Sequence, residues 1–67
     1  MNIYINEQIQ EIASDVNVHR LVTEVLQLQI GGIAVAINES VVPRSAWKST
    51  TLTENDKLLV IKACCGG

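Results

Sequence analysis

The sequence predicts an α+β domain in which a mixed sheet of four to five strands packs on one main helix. Three patterns lead to this fold class. Ile3 and Ile5 alternate with more polar residues, which is the period of a half-buried strand. Apolar residues then recur at helical spacing from Val18 to Leu26. Finally, the apolar run over residues 58–61 is typical of a strand that is buried on both faces.

The N-terminal half is predicted to form a hairpin followed by the helix. Residues 6–8 form the turn of this hairpin and residues 9–12 its second strand. The helix extends over residues 18–29, since one stripe of apolar side chains recurs at Val18, Leu21, Val22, Val25 and Leu26. Asn17 is the expected N-cap, because its side chain can accept a hydrogen bond from a free N–H of the first turn. The two glycines at 31–32 give the chain the freedom to leave the helix.

The C-terminal half supplies the remaining strands. Residues 33–38 set large aliphatic side chains against alanine, as in a central strand with one closely approached face. A short strand at residues 41–42 ends or lies on an edge, because Pro43 cannot donate to a sheet ladder. The last strand, at residues 58–61, is apolar enough to occupy the middle of the sheet. A right-handed crossover through the helix would pair it in parallel with the first strand.

Shorter elements connect these strands. Residues 44–48 are predicted to form a helical turn that carries Trp47, which caps one end of the core. Residues 51–53 are predicted to form a further edge strand. Residues 54–56 form a turn in which Asn55 can adopt a left-handed conformation.

Composition limits the classes of function that the chain can have. The 67 residues allow one small domain, with no room for an enclosed active site of its own. A net charge of −2 without charge runs argues against binding to nucleic acid. No signal peptide or membrane-length apolar run is evident, and two adjacent cysteines do not make a disulfide framework, so we expect a cytoplasmic protein.

The C-terminus is the predicted reactive site. A terminal carboxylate becomes reactive once its oxygen is made a leaving group, for instance by adenylation, and Gly66 and Gly67 could thread a narrow enzyme channel to that end. We expect a folded domain over residues 1–63 and a flexible tail over residues 64–67. The thiols of Cys64 and Cys65 form no expected metal site, since zinc needs about four ligands and His19 is distant in sequence.

Over its whole length the chain resembles the ThiS family, the ubiquitin-like β-grasp sulfur carriers of thiamine biosynthesis. The segment over residues 35–44 followed by Trp47 is the most family-specific part of this resemblance. The terminal diglycine is shared with all ubiquitin-like carriers. The remaining matches are the first strand, at residues 3–6, and the helix stripe at Val18, Leu21, Val22 and Leu26.

The resemblance implies a carrier that is acted on by enzymes and is not itself one. In such proteins the carboxylate at the Gly67 position is adenylated by a ThiF-like enzyme that uses ATP, and becomes a thiocarboxylate. Its sulfur comes from a donor such as a cysteine desulfurase and ends in the thiazole made by a ThiG-like synthase. No cofactor is expected to be bound, and the free chain is expected to be a monomer.

The expected partner surface is the sheet face that the helix leaves uncovered. Leu58 and Val60 are predicted to contribute to it, with Leu59 and Ile61 as the alternative pair, since alternation shows only that the two pairs are opposed. Two basic residues are candidates for contacts with partner acids, namely Arg44 and Lys62.

Two other functions remain open from the sequence. The small subunit of molybdopterin synthase has the same fold and tail chemistry, although it is usually longer. Alternatively, the chain is a thiol-based redox or metal-handling peptide that uses Cys64 and Cys65, with an incidental diglycine.

Overall fold

The computed structural model describes residues 1–29 and 31–62 and contains one mixed five-stranded sheet. The strand order is β2-β1-β5-β3-β4, so the last strand lies in the middle, as predicted. β5 pairs in parallel with β1 and antiparallel with β3, while the β1–β2 and β3–β4 pairs are antiparallel hairpins. The strands are β1 (Asn2–Ile5), β2 (Gln8–Glu11), β3 (Ile33–Ile37), β4 (Ser40–Val42) and β5 (Lys57–Lys62).

The main helix begins where the sequence predicts. Asn17 has an extended backbone, and its Oδ1 accepts a hydrogen bond of 2.7 Å from the N–H of Arg20. The first part of the apolar stripe faces the core, and the side chains of Val18, Leu21 and Val22 are all fully buried. The N-cap and the buried stripe are therefore confirmed.

The end of the main helix differs from the prediction. An α-helical turn, Val18–Arg20, continues as a π-helical segment, Leu21–Val25, so the predicted extension to residue 29 is wrong. The N–H of Leu26 bonds to the carbonyl five residues back, and Gln27 then turns the chain with a φ of 56°. β-Branched residues are poor helix formers, and three of them, Val22, Thr23 and Val25, occupy this segment. The later apolar residues Leu26 and Leu28 still pack against the core, which explains why the sequence pattern continues.

Two other predicted boundaries change. Residues 51–53 do not form a strand, because Thr51 makes only an isolated bridge with Asn17. Leu52, the middle residue of this segment, is instead buried in the core, which explains its apolar character. β2 spans Gln8–Glu11 and not residues 9–12, since Ile12 leaves the strand to become buried.

The core lies between the sheet and the helical side of the molecule. Trp47 is carried by a 3₁₀ helix, Arg44–Ser49, and is 1% exposed, so the prediction that it closes the core is confirmed. Its indole N–H donates a 2.9 Å hydrogen bond to the carbonyl of Val42. Asn55 has a φ of 68°, as expected of the left-handed turn residue.

β5 is buried on one face only. Leu58 is 3% exposed, whereas Leu59 and Ile61 are 50% and 51% exposed. The prediction of a strand buried on both faces is therefore wrong. The physical reason is that the main helix and the 3₁₀ helix cover one face of the sheet, so the alternate side chains of its central strand remain in contact with solvent.

Candidate functional site

The predicted reactive residues Gly66 and Gly67, together with Cys64 and Cys65, lie outside the described residues. The structure describes the strand that leads to them. β5 pairs with β3 along its length, from Leu58 opposite Ile37 to Lys62 opposite Ile33. On its other side, β5 pairs with Tyr4 and Ile5 of β1. β5 is thus paired with β3 up to Lys62, five residues before Gly67, whereas its pairing with β1 ends at Leu58.

The sheet face away from the main helix, which we call the outer face, carries exposed aliphatic side chains. The strand register places Ala36 between Leu59 and Val41 in one row. Ala34 lies opposite Ile61 in a neighbouring row. The exposed fractions of the large residues are 50% for Leu59, 51% for Ile61 and 75% for Val41.

The outer face continues onto the N-terminal hairpin. Tyr4 of β1 lies opposite Ile9 of β2, which is 61% exposed. Because the side chains of Ala34 and Ala36 on β3 are small, the centre of the outer face is recessed between larger side chains. Exposed aliphatic side chains grouped on one face of a small protein make that face a candidate site for a macromolecular partner. The outer face comprises Tyr4, Ile9, Ala34, Ala36, Val41, Leu59 and Ile61.

A shallow depression of about 640 Å³ adjoins the outer face. Two hairpin turns of the same sequence, Asn-Glu, contribute to its lining: Asn6 and Glu7 from the first hairpin, and Asn38 and Glu39 from the second. All four residues have positive φ angles, between 50° and 74°. Between the turns the lining is completed by Tyr4, Ala36, Lys57, Leu58 and Leu59.

The structure shows which of the two opposed pairs of β5 side chains is exposed. Leu58 is buried and Val60 packs against the core, so neither side chain lies on the exposed face. The opposed pair, Leu59 and Ile61, takes that position. Sequence alternation gave both pairs, but only the position of the helix decides which pair faces solvent.

The two predicted basic contacts lie on different elements. Arg44 begins the 3₁₀ helix after β4 and is exposed. Lys62 ends β5 and is also exposed, next to the point where the chain continues toward the diglycine. Sequence reasoning missed Ile9 and Val41 as surface residues. The available signal was that both are large aliphatics on short predicted strands.

Neither a cluster of metal ligands nor a membrane-spanning helix occurs in the described part of the chain. Within residues 1–29 and 31–62, no three His, Cys, Asp or Glu side chains are grouped to hold a metal ion. The helices in these same ranges are all too short or too polar to cross a membrane.

The topology and the outer face define a class of protein. A mixed five-stranded sheet on one main helix, with its first and last strands parallel and adjacent, is the β-grasp fold of ubiquitin-like proteins. Two solved structures of the thiamine biosynthesis protein ThiS from Geobacter metallireducens are similar to the structure of this chain, each with 26% sequence identity and full coverage of this chain. The crystal structure has a TM-score of 0.85 and is covered completely. The solution NMR structure has a TM-score of 0.81 and is covered to 88%.

Sequence comparison then gives the family. The model of the ThiS family matches residues 3–67. The sulfur carrier protein ThiS of Escherichia coli (strain K12) is 34% identical over 67 residues, which are the whole of both chains. The chain therefore belongs to the ThiS family, whose members are sulfur carriers in thiamine biosynthesis and not enzymes. This match favours the sulfur carrier prediction over the small subunit of molybdopterin synthase.

Proposed function

We propose that the Gly67 carboxylate is the group that carries sulfur. The observation that supports this most is the family match, which extends to residue 67. The pairing of β5 with β3 as far as Lys62 agrees with it, since a strand paired to its last residue provides a fixed base for a short tail over residues 64–67. Gly66 serves as the narrow residue that lets the tail enter an enzyme channel.

The chemistry takes place in successive steps on partner proteins. A carboxylate oxygen of Gly67 attacks the α-phosphorus of ATP in a ThiF-like enzyme, which releases pyrophosphate and leaves an acyl-adenylate. A persulfide sulfur from a donor such as a cysteine desulfurase attacks the acyl carbon and displaces AMP. A thiol then cleaves the S–S bond of this acyl disulfide, which leaves the thiocarboxylate. A ThiG-like thiazole synthase consumes the sulfur.

The adenylating enzyme docks on the outer face. Leu59 and Ile61 support this, because they are half-exposed aliphatics on the strand that leads to the tail. Lys62 lies at the end of the same strand, where a partner carboxylate can reach it. The free carrier is a cytoplasmic monomer in this proposal, and the ATP belongs to the partner enzyme.

The test is to remove the reacting residue while keeping the fold. Deleting Gly67 should abolish adenylation, measured as pyrophosphate release in the presence of the ThiF-like enzyme, and leave the melting temperature unchanged. Extending the chain by one residue beyond Gly67 should have the same effect. The matched control changes Cys64 and Cys65 to Ser and should retain adenylation.

Two results would contradict the proposal. One is an equal rate of pyrophosphate release with the full chain and with the chain that lacks Gly67. The other is loss of activity in the double serine variant together with full activity of the deletion, which would favour the thiol-based function instead.

A further inference from the structure

The side chain of Asn6 continues the pairing of β1 with β5 after the backbone of β1 has turned away. The N–H of Asn6 donates to the carbonyl of Leu58 over 2.9 Å. The backbone then enters the hairpin turn, with a φ of 51° at Asn6 and 71° at Glu7. Beyond that point the Asn6 carboxamide replaces the backbone of β1 as the hydrogen-bond partner of β5. Its Oδ1 accepts from the N–H of Val60 at 2.8 Å, and its Nδ2 donates to the carbonyl of Val60 at 3.2 Å.

This pair of hydrogen bonds requires the chemistry of asparagine. The carboxamide presents a donor and an acceptor in one plane, as a peptide group does, so it can bond to both backbone groups of Val60. Asparagine also tolerates the left-handed backbone of this turn better than most residues. An aspartate would keep the acceptor for the N–H of Val60 but would lose the donor to its carbonyl.

The contact between Asn6 and Val60 lies close to the end of β5. Val60 is two residues before the end of β5 and seven before Gly67. In the described part of the chain, Asn6 thus holds β5 on its β1 side close to the point where the tail begins. We infer that Asn6 is a positioning residue for the tail, because its carboxamide restricts the direction in which β5 delivers Gly67 to the adenylating enzyme. This inference rests on the proposed function of Gly67.

The second hairpin provides a matched control. Asn38 occupies the same place in an Asn-Glu turn, with a φ of 50°. Its Oδ1 accepts from the N–H of Lys57 at 3.1 Å, and its Nδ2 donates to Oδ1 of Asp56 at 3.2 Å. It therefore holds β5 in a similar way, but at the start of the strand, away from the tail.

The experiment compares Asn6→Gly with Asn38→Gly, since glycine keeps the turn conformation and removes only the side chain. Both variants should lose similar stability. Only Asn6→Gly should raise the KM for the carrier in adenylation, by about 2- to 10-fold, the range expected for one net hydrogen bond. The kcat should stay unchanged, because a tail with fewer competent orientations lowers apparent affinity and leaves the bound complex intact. Asn6→Asp should fall between wild type and Asn6→Gly.

A second readout does not need the partner enzyme. Amide hydrogen exchange of Val60, Ile61 and Lys62, followed by NMR, should accelerate in Asn6→Gly more than in Asn38→Gly. Equal exchange rates at these amides in the two variants, or equal changes in KM, would overturn the inference. If the wild-type chain is not adenylated at all, the proposed function fails, and the exchange rates alone decide the role of Asn6. If Asn6→Gly folds too weakly, Asn6→Asp serves in the same comparison.

Discussion

Replacing Leu59 and Ile61 with threonine tests whether the outer face binds the adenylating enzyme. Threonine is β-branched and suits a strand, so the sheet should persist. Burying a whole Leu or Ile side chain is worth about 1.5–3 kcal/mol. Leu59 and Ile61 are 50% and 51% exposed, so a partner has about half of each side chain left to cover.

The expected loss follows from these fractions. Covering half of each side chain contributes about 1 kcal/mol, and the pair about 2 kcal/mol. This corresponds to about a 30-fold weaker complex. The double variant should therefore raise the KM for the carrier by about 30-fold, with kcat unchanged at saturation.

The assay measures pyrophosphate release by the adenylating enzyme as a function of carrier concentration. Leu26→Thr is the matched control, because Leu26 is partly buried against the core on the helix side and its loss weakens packing without altering the outer face. Circular dichroism verifies that both variants are folded. A folded double variant with a wild-type KM, or a control that raises KM equally, would refute the role of the outer face.

Three further predictions concern stability. Trp47→Ala should lower the free energy of unfolding by about 3–5 kcal/mol, measured by urea unfolding followed by circular dichroism. This is a large part of the roughly 3–10 kcal/mol expected for a chain of this size. A loss below about 1 kcal/mol would contradict the assigned core. Asn17→Ala should cost about 1 kcal/mol in the same measurement, while Asn17→Asp, which keeps the cap, should cost less; equal losses would argue against the cap. Glu7→Gly and Glu39→Gly should each stabilise by about 0.5 kcal/mol, because relief of the left-handed strain slightly exceeds the entropy that glycine adds to the unfolded chain; a lower melting temperature would contradict this.

Local patterns in the sequence are sufficient to predict most of the fold. Alternation places β1, and the apolar stripe with its asparagine cap gives the start of the main helix. The π-helical segment and the early exit at Gln27 are not evident, because apolar residues continue beyond them and still pack against the core. The sequence therefore predicts which side chains anchor a segment to the core, but it does not predict the backbone geometry that connects them.

The candidate site is predictable only in part. The aliphatic run of β5 predicts burial on both faces, yet Leu59 and Ile61 lie on a face open to solvent. Sequence cannot separate a side chain buried in the core from one exposed on a partner surface when both are aliphatic. The contact of Asn6 with Val60 is also not predictable from the sequence, since it joins residues 54 positions apart.

The most direct test of the sulfur carrier proposal is the intact mass of the chain before and after incubation with its adenylating enzyme, ATP and a sulfur donor. Fragmentation then locates the change. The proposal predicts a mass increase that corresponds to replacement of one oxygen by sulfur, confined to Gly67. An unchanged mass with an enzyme shown to be active on another carrier, or added sulfur found on Cys64 or Cys65, would contradict it.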